Sequence, residues 1–222
     1  MIENLAIENN LPALQVVVPL LLAPIAALLT VPFLSWLVAM AGALFCLYSS
    51  ITLFLKVSSG GTINYYMGGW LPPYGIEYVI DGASSFMIVI ISFMGLIATI
   101  YAYTSLKFEI SRNSQSKVYG MWLLALGGLL GLVTTGDAFN LFVFLEISSL
   151  SSVTLVALGA NKDKRALTAA FNYLLIGAVG ATFYVIGVGL LYSVTGTLNI
   201  ADLTIKLSEL SDNNAVKAGV SF

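Results

Sequence analysis

The sequence predicts an all-α protein, a polytopic bundle of six full transmembrane helices with the start of a seventh, and two observations carry that prediction. Of its 222 residues, 59% are hydrophobic and 9% are charged, where a soluble domain has about 45–50% apolar and about 25% charged residues. Six apolar runs, at 11–30, 32–55, 80–104, 118–135, 138–159 and 166–194, each come near the roughly 20 residues an α-helix needs to cross the hydrocarbon core. The runs are continuous, whereas a transmembrane barrel would alternate apolar and polar residues in segments of about ten. One membrane domain, 1–222, is the natural division.

The first run follows Met1–Asn10, which carries Glu3 and Glu8 and no basic residue. That differs from the positive n-region of a signal peptide, so the first span is expected to be retained. Between the second and third runs, residues 56–80 mix Tyr65, Tyr66 and Trp70 with the turn formers of Leu71-Pro72-Pro73-Tyr74-Gly75, which suits a packed cap at the membrane interface. Residues 199–211 set Ile200, Leu203, Leu207 and Leu210 on one helical face, the pattern of an interfacial amphipathic helix. A seventh apolar run opens at 215–222.

Basic residues in short loops are held on the cytoplasmic side. Lys107, Arg112 and Lys117 lie between spans three and four, and Lys162, Lys164 and Arg165 between spans five and six. Loops 105–117 and 160–165 are therefore expected inside. The opposite side receives the remaining three, Lys56, Lys206 and Lys217, with Glu3, Glu8, Glu77, Asp81, Asp137, Asp202, Glu209 and Asp212. The N-terminus is placed outside.

Composition also narrows the chemistry. A net charge of −2 offers no basic footprint for nucleic acid, so partners are expected in the bilayer. The only cysteine, Cys46, falls within an apolar run and reads as packing; no histidine is present, so a proton relay must use carboxylates, lysines and water. No phosphate-binding loop, nucleophile constellation or metal-ligand spacing occurs. Neither a cofactor nor a metal is expected, nor catalysis by this chain alone.

Glu146 is the one acid deep inside an apolar run, about nine residues or roughly 13 Å from the outer end of span five. A carboxylate there costs several kcal/mol unless it is paired, hydrated or protonated, which makes it the first candidate for an ion pathway. The bland alternative is a protonated glutamate bonded to a neighbouring helix. Ser148, Ser149, Ser151, Ser152 and Thr154 follow it; they either hold a water chain or satisfy their own i−4 carbonyls, and Ser149, on the same face as Glu146, is the best single candidate. Asp81 and Asp137 stand at the outer ends of spans three and five, where helix capping is the preferred role and an accessory one remains. Asn172 is the strongly polar residue of span six; it bridges waters or, as the preferred reading has it, hydrogen-bonds another helix.

At Gly136-Asp137-Ala138-Phe139-Asn140-Leu141-Phe142-Val143-Phe144-Leu145-Glu146 the chain closely resembles the proton-translocating, antiporter-like membrane subunits of respiratory complex I, the Mrp cation/proton antiporters and the membrane-bound hydrogenases. The likeness extends through Gly68-Gly69-Trp70-Leu71-Pro72-Pro73-Tyr74-Gly75-Ile76-Glu77 with Asp81, most like the D-type protein of the Mrp antiporters, and through Ala169-Ala170-Phe171-Asn172-Tyr173 to Gly196-Thr197-Leu198-Asn199. It implies three leading helices with the outer loop over 1–104, and the first, incomplete part of an antiporter-like repeat over 118–222. It also implies that Glu146 is the fifth-helix glutamate that couples to a lysine on a broken seventh helix. Asn172 stands where these proteins carry a lysine. Lys217–Phe222 resembles the lead-in to the broken helix, so a fragment, or a split subunit completed by another chain, is expected.

The resulting expectation is a membrane subunit of a multi-subunit complex in a prokaryotic plasma membrane, moving H⁺, in some settings in exchange for Na⁺, along Glu146, Ser149 and Asn172. Redox drive by a dehydrogenase-like or hydrogenase-like partner is one form of it. The rival is a non-conducting structural subunit that anchors a redox or antiporter complex, which the asparagine at 172 favours. A secondary transporter of organic solutes would need a pair of broken helices that the sequence does not show.

Overall fold

Backbone groups in a bilayer core find no water, so an apolar run must close its hydrogen bonds within itself, as a helix does. The computed structural model describes residues 9–210 and 213–222. It contains six helices long and apolar enough to cross a membrane: α1 (Leu11–Leu28), α2 (Pro32–Gly60), α3 (Gly82–Glu109), α4 (Arg112–Thr134), α5 (Ala138–Leu158) and α6 (Arg165–Thr195). Two short helices follow, α7 (Ile200–Glu209) and α8 (Asn214–Ser221). The acidic stretch with Glu3 and Glu8, and Ser211 and Asp212, lie outside the described residues.

Several helices outrun their apolar runs. α3 continues to Glu109 and α4 begins at Arg112, so the loop expected at 105–117 reduces to Ile110 and Ser111. Hydropathy marks the hydrocarbon thickness, and the backbone stays helical past it, where the side chains meet water. Residues 56–80 also differ from a cap of turns alone: after α2 ends, β1 (Ile63–Tyr66) pairs antiparallel with β2 (Glu77–Ile80), Ile63 opposite Ile80 and Tyr66 opposite Glu77. The β-branched and aromatic residues of Ile63-Asn64-Tyr65-Tyr66 and Glu77-Tyr78-Val79-Ile80 suit a pleated, half-buried ribbon.

α4 is the axis of the bundle. Its most apolar stretch is 61% buried, against 11% for α5 and for α6. Between lipid-soluble helices there is little hydrophobic drive, so close backbone approach has to hold them together. Glycines supply it on two sides of α4. A Cβ at Gly120 would stand 2.7 Å from Ala27 Cβ of α1, and one at Gly128 would stand 2.8 Å from the Ser148 nitrogen of α5. Buried polar bonds add direction: Gln15 Nε2 donates to Ser50 Oγ at 2.9 Å, Ser35 Oγ to Ser116 Oγ at 2.8 Å, and Trp122 Nε1 to Thr99 Oγ1 at 2.9 Å. Cys46 is fully buried among these helices.

At the far end from the α3–α4 connection, three turns are tied together. Gly136 N–H donates to Glu77 O at 2.8 Å, Ala138 N–H to Leu198 O at 2.8 Å, and Ile200 N–H to Gly136 O at 2.9 Å. Within this knot Asn199 Nδ2 donates to Glu77 Oε2 at 2.8 Å, both residues buried and 122 positions apart. Asn199 Oδ1 meanwhile accepts from Asp202 N–H and caps α7. The apolar face of α7 packs inward, with Leu203 buried against Ala138 and Val188 and with Leu207 alongside.

Removing the Glu77 acceptor leaves a buried amide unpaired. Glu77→Ala should therefore lower stability by about 1–3 kcal/mol, whereas Glu77→Gln keeps an acceptor oxygen and should stay close to the unmodified protein. Thermal unfolding in detergent separates the two. Equal melting temperatures for both variants would show that the knot does not depend on this bond.

Candidate functional site

α5 starts where the knot ends. Asp137 is its N-cap, Oδ1 accepting from Asn140 N–H at 2.7 Å, while Asn140 Nδ2 donates to Thr135 Oγ1 at 3.0 Å. Burial pushes the Asp137 carboxyl up from the usual aspartate range, against the pull of the Asn140 and Phe139 N–H groups. Asp81 caps α3 in a reciprocal box with Ser84, and those bonds hold its carboxyl below the usual range. Both acids are engaged as caps.

Glu146 is the ninth of the 21 residues of α5. It is half-buried, and its carboxylate has no hydrogen bond or ion pair among the described residues. The strip on which it stands, seven residues beyond Phe139 and four before Leu150, is largely open: those two neighbours are 47% and 48% exposed. The opposite side of α5, carrying Phe144 and Ser148, is pressed onto Gly131 and Gly128 of α4. α5 thus turns its acid away from the packed core.

The hydroxyls after Glu146 divide cleanly. Ser151, Ser152 and Thr154 donate to the i−4 carbonyls of Ile147, Ser148 and Leu150 at 2.6–2.8 Å, and Ser148 donates to Leu145 O at 3.0 Å. Four of the five thus give their hydroxyl proton to their own helix and keep only acceptor capacity toward water. Ser149 is the exception, with no hydrogen bond among the described residues. Its Oγ faces α6, 3.2 Å from where a Cβ on Gly177 would stand.

Asn172 does not join this pair. It lies five residues before Gly177, hence about 140° round α6 and about 12 Å along the axis from the level of Glu146. It is exposed and makes no hydrogen bond among the described residues. α6 packs on its neighbours through Ala170, Ala181 and Val188, while Asn172 stands on the opposite strip with Ile176, Val179 and Phe183, the last of which stacks on Phe222 of α8.

Among the described residues no group of three or more Cys, Asp or Glu side chains is placed to hold a metal ion. The residues that reasoning from sequence leaves without a role are Glu77 and Asn199. Both sit inside noted motifs, yet no periodicity or local spacing links residues so far apart.

Residues 135–221 match the family described as NADH:quinone oxidoreductase/Mrp antiporter, TM. The N-type subunit of the NADH-quinone oxidoreductase of Desulforudis audaxviator is 43% identical over 96% of this chain and 42% of its own length. The D-type protein of the Na⁺/H⁺ antiporter of Bacillus subtilis is 34% identical over 90% of this chain and 40% of its own. Among solved structures, a chain of the membrane-bound sulfane sulfur reductase, an archaeal respiratory membrane complex, superposes with a TM-score of 0.84 at 31% identity, over 94% of this chain and 42% of that one. The chain spans about two fifths of the length of each, and its identity is higher to the oxidoreductase protein than to the antiporter protein. These matches, with its six helices long and apolar enough to cross a membrane, make the chain a member of the antiporter-like membrane subunit family shared by NADH:quinone oxidoreductases and Mrp antiporters.

Proposed function

We propose that this chain is an ion-translocating subunit of a multi-subunit membrane complex and that Glu146 is the protonatable residue through which H⁺ passes near the middle of the bilayer. One observation carries the reading: Glu146 is half-buried within a membrane-spanning helix and has no partner among the described residues. An ionised carboxylate in that setting is costly by several kcal/mol, so water or a further charged group has to meet it. Ser149, one turn on and equally unpartnered, is the nearest hydroxyl able to pass a proton along a water file. The names of the relatives support transport coupled either to redox chemistry or to Na⁺ exchange.

A second reading, a non-conducting structural subunit, draws on Asn172. An amide cannot take up and release a proton, and here it stands on the strip of α6 turned away from Glu146. A path confined to Glu146 and Ser149 would pass on the α5 side of α6 and leave Asn172 aside.

Glu146→Gln distinguishes the readings, since it keeps shape and most hydrogen bonding but removes ionisation. In vesicles holding the complete complex, the variant should lose most proton flux while the subunit remains assembled; Glu146→Asp should retain part. Unchanged flux in the Gln variant favours the structural role, in which only an interhelical bond of about 0.6 kcal/mol is at stake.

The same proposal places the N-terminus on the outer side of a prokaryotic plasma membrane, because Lys107, Arg112, Lys117, Lys162, Lys164 and Arg165 all lie at one end of the bundle. A cysteine at Arg112 should resist an impermeant thiol reagent in intact cells and react in inverted vesicles. Labelling in intact cells would reverse the orientation.

A further inference from the structure

At the basic end of the bundle, a cavity of about 510 Å³ opens between the α1–α2 turn and the ends of α3 and α4. Two cations line it. Lys107 Nζ stands 3.6 Å above the Tyr103 ring, and Arg112, the first residue of α4, has no acidic partner among the described residues. The one acid in the connection, Glu109, is exposed and does not line the cavity. Behind the cations, Gln115 is held by Nε2 donating to Leu106 O at 3.2 Å and to Ile110 O at 3.0 Å. This braces the α3–α4 turn and fixes the spacing of the two charges.

Tyr119 is the second observation, independent of the charges. It lines the same cavity and is 3% exposed, yet its hydroxyl has no hydrogen-bond partner among the described residues. Its ring is packed while its hydroxyl reaches accessible space, so the phenol is free to donate to an acceptor held in the cavity. The α4 N-terminus adds its unpaired N–H groups and partial positive charge. All these features point toward one chemical group, a singly charged phosphate.

The lip of the cavity identifies the carrier. Phe33 lines it and is 49% exposed, and Leu37 and Leu44 continue the same side of α2 away from it at 42% and 51% exposure. The spacing i, i+4, i+11 makes a continuous apolar strip leading from the cations into the bilayer. A free phosphate would have no use for such a strip. We propose that this cavity binds the phosphodiester headgroup of an anionic phospholipid, with Lys107 and Arg112 on the phosphate, the Tyr119 hydroxyl donating to it, and the acyl chains lying along Phe33, Leu37 and Leu44.

The test uses the complete complex in vesicles doped with a photoactivatable phosphatidylglycerol, followed by peptide mapping of the cross-links. Labelling should fall on the 31–44 and 103–119 segments. It should be competed by unlabelled phosphatidylglycerol and not by millimolar inorganic phosphate. Each of Lys107→Gln and Arg112→Gln, both at exposed positions and so compatible with assembly, should reduce labelling several-fold, and the pair roughly tenfold or more. Tyr119→Phe should reduce it too. Lys117→Gln, a cation at the same end but outside the cavity, should leave it unchanged. Equal labelling by a phosphatidylcholine probe, loss of labelling with Lys117→Gln to the same degree, or full competition by inorganic phosphate would each overturn the proposal.

Discussion

Lipid offers helices no hydrophobic reason to associate, and the structure depends on how α4 meets that constraint. Gly120 lets α1 approach to near backbone contact and Gly128 does the same for α5. A methyl group at either position would force a helix outward, and with α5 would go everything that α5 carries. The glycine contacts fix the rotation of α5, with Phe144 and Ser148 turned toward α4. Glu146 is then directed away from the core by helical geometry alone, two residues from each of them.

The knot at the far end from the α3–α4 connection fixes the remaining freedom, translation along the axis. Asp137 caps α5 inside a set of turns joined through Glu77 and Asn199, so the first turn of α5 is pinned to the hairpin and to the segment entering α7. Rotation set by packing and height set by capping together place one acid at a defined depth on an open face. For a residue whose proposed work is to gain and lose a charge, such positioning matters, because electrostatic coupling within a low-dielectric interior changes steeply with distance. Four of the five hydroxyls that follow are bonded to their own helix, and Ser149 faces Gly177 of α6.

Much of this is legible in the sequence, and the limits are physical. The six spans follow from composition, since a run of about 20 apolar residues has few other structures open to it. The caps at Asp81 and Asp137 follow from local chemistry at helix starts, and α7 from its periodic face. The hairpin of β1 and β2 escapes a sequence reading because tyrosines and glycines suit a turn-rich cap as well as a ribbon. The α3–α4 connection looks too long in the sequence because hydropathy reports the membrane and not the helix. Glu77 with Asn199 is out of reach, being a contact made by the fold. Asn172 reads by residue type as an interhelical bonder, but its face of α6 is the one turned away from α5.

The central claim is that Glu146 changes protonation in the working protein, and infrared difference spectroscopy of the complete complex between acid and alkaline pH tests it most directly. The account predicts a carboxyl band that appears in the unmodified protein, shifts in heavy water and is missing from Glu146→Gln. Identical difference spectra for the two proteins would mean that Glu146 keeps a single protonation state, and would contradict it.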